Sequence, residues 1–258
     1  MCNMGIAIVT GAAGGIGAAF VDALLPKVDT IWAVGRNVEK LQNLKAKYEE
    51  SFPGKILPVK ADLTDKEELD ALIEKIRSDK PEISYLINNA GMSKMAPFSE
   101  FETVEISKTI DLNCKAGAIL CQVCIPYMKA GSYILNVASA SAFQPNPYIA
   151  LYAASKVFFL NFTRALNVEL QDKGIFCMAV CPGWVDTDML PKTKDGKTIN
   201  YPGMVSAETV VACAFKDLKK KKDVSVSSGY NRFLRAYSKI VPHRTCMKQW
   251  TKGIKDYI

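Results

Sequence analysis

The 258-residue chain predicts an α/β fold, a doubly wound parallel sheet in one domain with helices on both faces. Three observations carry this expectation. Short apolar runs alternate along the chain with longer stretches of helical period. A glycine-rich turn closes the first apolar run and opens the first helix. The polar residues richest in chemistry fall just past the ends of the runs or on a helix beside them, where parallel sheets hold ligands.

Composition narrows the class. An apolar share of 49% with 23% charged residues is that of an ordinary globular protein, and the length suffices for a full core. The longest charge-free stretch, residues 130–155, holds Ser, Asn, Gln and two prolines, which hydrocarbon would not tolerate. Met1-Cys2-Asn3 leads almost directly into the first strand, so no signal peptide is expected and the expected compartment is the cytoplasm. The eight cysteines read as free thiols. Cys121-x-x-Cys124 has no second pair and no nearby histidine, so no metal is expected. The sole histidine, His243, lies near the C-terminus, which leaves no histidine-based triad. Net charge is +7, and much of the excess sits late, at Lys219–Lys222 and then Arg232, Arg235, Lys239, Arg244, Lys248, Lys252 and Lys255. No nucleic-acid motif accompanies it. A solvated basic tail, an anionic membrane surface or an anionic substrate remain as readings.

Gly5–Thr10 is the first strand, apolar enough to be buried on both faces. Gly11-Ala12-Ala13-Gly14-Gly15-Ile16-Gly17 follows, then a helix to about Leu25 with Pro26 beyond. Strand, glycine turn and helix N-terminus together suit a pyrophosphate, because backbone can approach it and N–H groups face its charge. Further strands are expected at Thr30–Val34, Ile56–Ala61, Ile83–Ile87, Tyr133–Val137 and Ile175–Val180. Helices are expected to about Glu50, from Thr64 or Asp65 to about Arg77, over Val104–Met128, from Tyr152 to about Leu170, and over Ala207–Lys220. Residues 188–205, broken by Pro191, Gly196 and Pro202, read as a flap. Val224–Val226 reads as an edge strand, and 229–258 as a basic extension.

Tyr152 and Lys156 lie four residues apart, one turn above the other on a helix face. A phenol keeps its proton to about pH 10, and a neighbouring ammonium is expected to lower that value and make it a usable acid and base. With the glycine turn and the residues below, this constellation resembles the short-chain dehydrogenase/reductase family in its single-domain form, over about residues 4–190. Thr10-Gly11-x-x-x-Gly15-Ile16-Gly17 matches the family's cofactor turn of a Rossmann-type sheet. Asp62-Leu63 matches its adenine-side acid, and Asn88-Asn89-Ala90-Gly91 its fourth-strand motif. Pro182-Gly183-Trp184-Val185-Asp186-Thr187 matches the segment that holds the nicotinamide. Catalytic residues carry over to Asn113, Ser139, Tyr152 and Lys156, with Ser141 left to line the pocket.

The resemblance implies that Ser139 bonds a substrate carbonyl while Tyr152 passes the proton. It further implies that Lys156 binds the nicotinamide ribose and that Asn113 positions a water. Cofactor contacts are expected from Thr10, Gly11, Gly15, Ile16, Gly17, Arg36, Asp62, Leu63, Asn89, Ala90, Gly91, Tyr152, Lys156, Pro182, Gly183, Val185 and Thr187. Gly35 stands where an acid would repel a 2′-phosphate, and Arg36 follows it, so NADP(H) is expected rather than NAD.

Met92, Met95, Ala142, Phe143, Tyr148, Trp184 and Met189 are candidates to line an apolar pocket. They point to a bulky ketone or alcohol, first a hydroxysteroid or bile acid, alternatively a long-chain 3-oxoacyl thioester. A cofactor-binding regulatory protein without turnover is the reading from another class. The resemblance also implies a homodimer or homotetramer through the helices carrying Asn113 and Tyr152, with Phe158, Phe159 and Phe162 as contributors. The family's C-terminal paired-glycine ending is not clear here, and Ala138 stands where a serine often precedes the catalytic one. In the extension, Phe233, Leu234, Tyr237 and Ile240 recur at helical spacing among cations. That stripe is expected to pack over the active site or a subunit neighbour rather than lie on a bilayer.

Overall fold

The computed structural model describes residues 4–187, 190, 193–194 and 197–254. In chain order the first half is β1 (Ile6–Thr10), α1 (Gly15–Leu24), β2 (Thr30–Gly35), α2 (Val38–Glu49), β3 (Ile56–Lys60), α3 (Lys66–Asp79) and β4 (Ile83–Asn88). There follow α4 (Thr103–Ile110), α5 (Gly117–Cys124), β5 (Met128–Val137), α6 (Ala150–Glu169) and β6 (Phe176–Val180). A short antiparallel pair, β7 (Thr193–Lys194) and β8 (Lys197–Thr198), precedes α7 (Ala207–Lys219), β9 (Val224–Ser225), α8 (Gly229–Ile240) and α9 (His243–Gly253).

The sheet runs β3-β2-β1-β4-β5-β6-β9 with every neighbouring pair parallel. Parallel strands need crossovers, and the helices supply them on both faces. Side chains alternate along each strand, so one run feeds two cores. Ala7 and Val9 join the core beneath α1, α2 and α7, where Phe20, Leu24, Leu41 and Val210 are buried. Ile8 points the other way, toward Leu72, Ile76, Leu120 and Leu166 of α3, α5 and α6. Strand order reverses between β1 and β4, and the crevice at such a reversal is where these sheets bind ligands.

Most element expectations hold, with one instructive difference. The long helix expected over Val104–Met128 is α4 and α5 joined by a π-turn at Asp111–Ala116. It gives way at Ile125–Tyr127 to a tight turn containing Pro126, which lacks the N–H a continuing helix needs. Met128 therefore begins β5, five residues before the expected Tyr133. The polar, glycine-containing stretch Lys129–Ser132 hides this strand from a hydropathy reading. Gly131 there has φ +91°, and Ser132 Oγ donates to Ile83 O at 2.9 Å.

The flap expected over 188–205 lies partly outside the described residues, and Met189 and Lys255 lie outside them. Phe159 is 2% exposed, and a Cβ on Gly117 would come 2.4 Å from its ring. It is a core residue that locks α5 to α6, so it is not available to a subunit face. Phe158 is exposed and stacks on Phe162 at 5.8 Å.

Beneath the crevice a buried polar chain ties the sheet to α6. Asn88 Nδ2 donates to Asn136 Oδ1 at 2.9 Å, Asn136 Nδ2 to Thr163 Oγ1 at 2.9 Å, and Thr163 Oγ1 to Phe159 O at 2.6 Å. Asn136 is completely buried, so its loss strands a donor on one side and an acceptor on the other. Asn136→Ala is expected to cost about 2–4 kcal/mol in urea unfolding, against under about 0.5 kcal/mol for a solvated change such as Glu67→Ala.

Candidate active site

The glycine turn is held by contacts that leave no room for a side chain at Gly11, Gly15 or Gly17. Gly11 and Gly15 have φ of +63° and +50°, left-handed backbone that only glycine adopts freely. A Cβ on Gly17 would meet Gly11 O at 2.0 Å, and one on Gly15 would meet Thr187 Cγ2 at 2.9 Å. Thr10 Oγ1 accepts from Asn89 N and Ala90 N, both at 3.0 Å, while Asn89 Nδ2 donates to Thr10 O and Gly11 O. These bonds fasten the loop after β1 to the loop after β4. The first turn of α1, behind Gly14, thus faces the crevice with its N–H groups. Ile16 anchors that turn on the core.

Asp62 and Leu63 follow β3, and Leu63 is buried. Asp62 accepts from Thr64 N and Thr64 Oγ1. Burial pushes the Asp62 carboxyl up, but the Thr64 bonds and the charges of Arg36 and Lys108 outweigh it and hold it below its ordinary value. Arg36, just past β2, is exposed and makes no ion pair among the described residues, so its guanidinium is available.

Ser139, Tyr152 and Lys156 meet at the end of β5. Ser139 is 6% exposed; its Oγ accepts from Ser141 N at 3.1 Å, and the side chain lies beside the Tyr152 phenol. Ser141 therefore orients Ser139 through its backbone. Lys156 is 3% exposed, lies over the Tyr152 ring with Nζ 5.6 Å from the centroid, and donates to Val137 O at 2.8 Å. Burial lowers the Lys156 ammonium from 10.5 to about 8. Burial likewise pushes the Tyr152 phenol above its ordinary value, against a downward pull from the neighbouring Ser139. The expected lowering by Lys156 is thus not realised here. The ammonium sits over the ring face rather than at the oxygen, and burial weakens its hold on its own proton.

Asn113 lies on the π-turn, a departure from regular helix that is common at functional sites. Both ends of its amide are engaged: Oδ1 accepts from Met92 N, and Nδ2 donates to Met92 O and to Ser155 Oγ. Ser155 Oγ in turn donates to Tyr152 O at 2.7 Å. In this arrangement Asn113 braces the loop after β4 against the helix carrying Tyr152. A Cβ on Gly91 would lie 3.3 Å from both Asn113 Oδ1 and Lys156 Nζ, so that glycine lets the loop close on the pair.

Pro182, Gly183, Val185 and Thr187 follow β6. Pro182 O accepts from Ala140 N at 2.7 Å, and Val185 pairs with Val205. A Cβ on Gly183 would meet Asn231 of α8 at 2.1 Å. The extension therefore roofs the site. Arg235 lies 5.5 Å from the Phe143 ring centre, and Trp250 of α9 donates to Pro147 O at 2.9 Å and stacks on Trp184 at 6.1 Å. Tyr201 packs on Trp184 at 4.9 Å, and Tyr148 is held at φ +68°, a strained conformation for an aromatic residue. Ala142 is buried, and Met92 and Met95 are half-buried.

Asn231, Arg235, Trp250, Ser155 and Lys108 were not foreseen as site residues. For Trp250 no local signal exists, since its acceptor lies 103 residues away. The apolar stripe of α8 differs from expectation within this chain: polar Asn231 and Ser238 face inward, while Phe233 and Ile240 are 62% and 84% exposed. Gly183 leaves space for Asn231, whose short amide also bonds Ser228 Oγ at 2.7 Å.

Residues 5–198 match the family model described as short chain dehydrogenase. An uncharacterized oxidoreductase of Staphylococcus epidermidis is 30% identical over 208 residues, 80% of this chain and 89% of that protein. A short-chain dehydrogenase from Sphingobium yanoikuyae, solved in complex with NADPH, is 27% identical with TM-score 0.77, covering 86% of this chain and 87% of that one. The bulky-bulky ketone specific alcohol dehydrogenase from Comamonas testosteroni is 26% identical with TM-score 0.75, covering 99% of this chain and 95% of that one.

The buried ammonium makes a pH prediction. Lys156 titrates near 8 in the folded chain and near 10.5 unfolded, so between those values the unfolded chain binds more protons. The contribution of this group to stability therefore rises with pH across that window, by about 3 kcal/mol at most. Urea unfolding of wild type and Lys156→Met at the two ends of the window is expected to show wild type gaining on the variant. A constant difference would mean the ammonium is not depressed.

Proposed function

Because the chain belongs to the short-chain dehydrogenase family, we propose that it is an NADP(H)-dependent oxidoreductase interconverting a bulky ketone and its secondary alcohol. The observation that carries this reading is the meeting of Ser139, the Tyr152 phenol and buried Lys156 beside the crowded glycines of the turn after β1. The residues fit a dinucleotide: left-handed Gly11 and Gly15 and the crowded Gly17 bring backbone to the helix N-terminus that a pyrophosphate needs. Thr10, Asn89, Ala90 and Gly91 would shape the wall of that cradle, Asp62 and Leu63 its adenine end, and Pro182, Gly183, Val185 and Thr187 its nicotinamide end. Bound there, the nicotinamide supplies or accepts the hydride.

The protein's part is the proton. Ser139 donates a hydrogen bond to the substrate oxygen, which draws charge toward it. Tyr152 delivers its phenolic proton to that oxygen in reduction and removes it in oxidation. A phenol held high stays protonated at neutral pH, the form from which reduction starts. Lys156, the buried cation beside that phenol, would bond the cofactor ribose. Asn113 keeps the Met92 loop and Tyr152 in register.

A bulky substrate is supported by the aromatic wall of Phe143, Tyr148, Trp184, Tyr201 and Trp250, and by the likeness to a dehydrogenase described as bulky-bulky ketone specific. A hydroxysteroid or bile acid is the first candidate, a long-chain 3-oxoacyl thioester the second. NADP(H) is supported by exposed Arg36 after Gly35, and by the NADPH bound to the Sphingobium relative.

Tyr152→Phe is expected to abolish turnover, read by nicotinamide absorbance, while leaving NADPH binding nearly intact. A large residual rate would remove Tyr152 from the chemistry. Arg36→Ala is expected to weaken NADPH binding about 10–100-fold and scarcely touch NADH, since a guanidinium–phosphate bond exists only with the former. Equal losses for both cofactors would show that Arg36 does not read the phosphate.

A further inference from the structure

Tyr230, Phe233, Tyr237 and Ile240 recur every three or four residues and share one face of α8. Tyr230 is 45% exposed, and the Phe233 and Tyr237 rings lie 5.7 Å apart. A helix packed on a core normally turns such a stripe inward. Here the inward side is taken by Asn231 and Ser238; Phe233 and Ile240 face solvent, while Tyr230 packs on Gly203 and Tyr237 is half-buried. Arg232 and Lys239 border it on the same helix. From Gly229 to Ile254 the chain carries six cations, Arg232, Arg235, Lys239, Arg244, Lys248 and Lys252, and no aspartate or glutamate. The next helix, α9, carries an open groove of its own, lined by Arg244, Met247, Lys248, Thr251 and Lys252, again cationic and partly apolar.

Charge decides the occupant. Two copies meeting through this face would set two acid-free cationic patches against each other. An anionic bilayer offers counter-charge at its surface and hydrocarbon just below it for the stripe. Among the described residues no helix is long and apolar enough to cross a membrane, so the contact is one of surface docking. We propose that α8 and α9 form a docking surface for anionic lipid bilayers. The same two helices roof the candidate site through Asn231 on Gly183 and Trp250 on Trp184, so docking would set the roof of the pocket against the lipid.

The test uses the full chain and sucrose-loaded vesicles, either pure phosphatidylcholine or with about 30% phosphatidylserine. Sedimentation is expected with the anionic vesicles only, and to collapse at about 0.5 M salt. The Phe233→Ser, Ile240→Ser double variant is expected to partition at least about tenfold more weakly, with an unchanged melting temperature because both side chains are exposed. Lys239→Glu with Lys248→Glu gives a second variant, which acts on charge alone and is expected to lose binding at low salt. Absence of co-sedimentation, or equal partition of wild type and both variants, would overturn the proposal. So would a concentration-dependent dimer abolished by the serine variant, which would assign the face to a second copy. Turnover is not read, so the outcome stands apart from the reductase reading.

Discussion

A buried ammonium sets the terms for the centre of this molecule. Lys156 is 3% exposed and has one backbone acceptor, Val137 O, among the described residues. A cation so placed is costly, and its depressed pKa is the measure of that cost. It persists because everything around it is fixed independently. Phe159 wedged against Gly117 holds α6, the Asn88–Asn136–Thr163 chain ties α6 to the sheet, and Asn113 braces the loop that closes over it. Remove those restraints, and the lysine is expected to find water sooner than the Tyr152 ring. Stability spent at one polar point, and regained in the apolar layers on either side of the sheet, is a pattern typical of functional sites.

Much of the fold was legible because buried strands and amphipathic helices carry different periods. Thr30–Val34, Ile56–Ala61 and Ile175–Val180 could be read directly as strands, since both faces of these runs are apolar or nearly so. β5 was only half visible. Its first residues are polar and glycine-rich, and their strand geometry comes from pairing with Ile83 on β4, a partner nearly fifty residues away. The π-turn at Asp111–Ala116 was invisible for a different reason. It shifts the helix by a fraction of a turn, and the apolar repeat on either side survives that shift.

The site divides along the same line. Gly11, Gly15, Gly17, Ser139, Tyr152 and Lys156 declare themselves because residue type alone restricts what they can do at a strand end. The electrostatic sign at Tyr152 does not follow from type. Four-residue spacing places an ammonium near a phenol, but whether it meets the oxygen or the ring depends on Val137 O, which captures Nζ. Burial then raises both the cost of the phenolate and the cost of the ammonium, so the phenol moves up, the ammonium moves down, and the two pKa values separate. A bound dinucleotide would supply the polar surroundings that this protein-only centre lacks.

The extension shows why an amphipathic pattern fixes a helix but not its facing. The repeat at Tyr230, Phe233, Tyr237 and Ile240 reads the same whether the stripe looks inward or outward. What decides is the partner surface. Gly183 presents bare backbone with room for a short amide, and a Cβ there would already collide with Asn231 at 2.1 Å, so no aromatic ring fits between. Ser228 caps α8 by accepting from Asn231 N at 3.1 Å and also receives the Asn231 side chain, which fixes the rotation of the first turn. Once Asn231 is turned in, the 3.6-residue period carries Ser238 inward and Phe233 and Ile240 outward. The apolar face is therefore left exposed by the needs of the site beneath it: close packing of Asn231 on Gly183 orients the helix, and the opposite face must find its cover elsewhere.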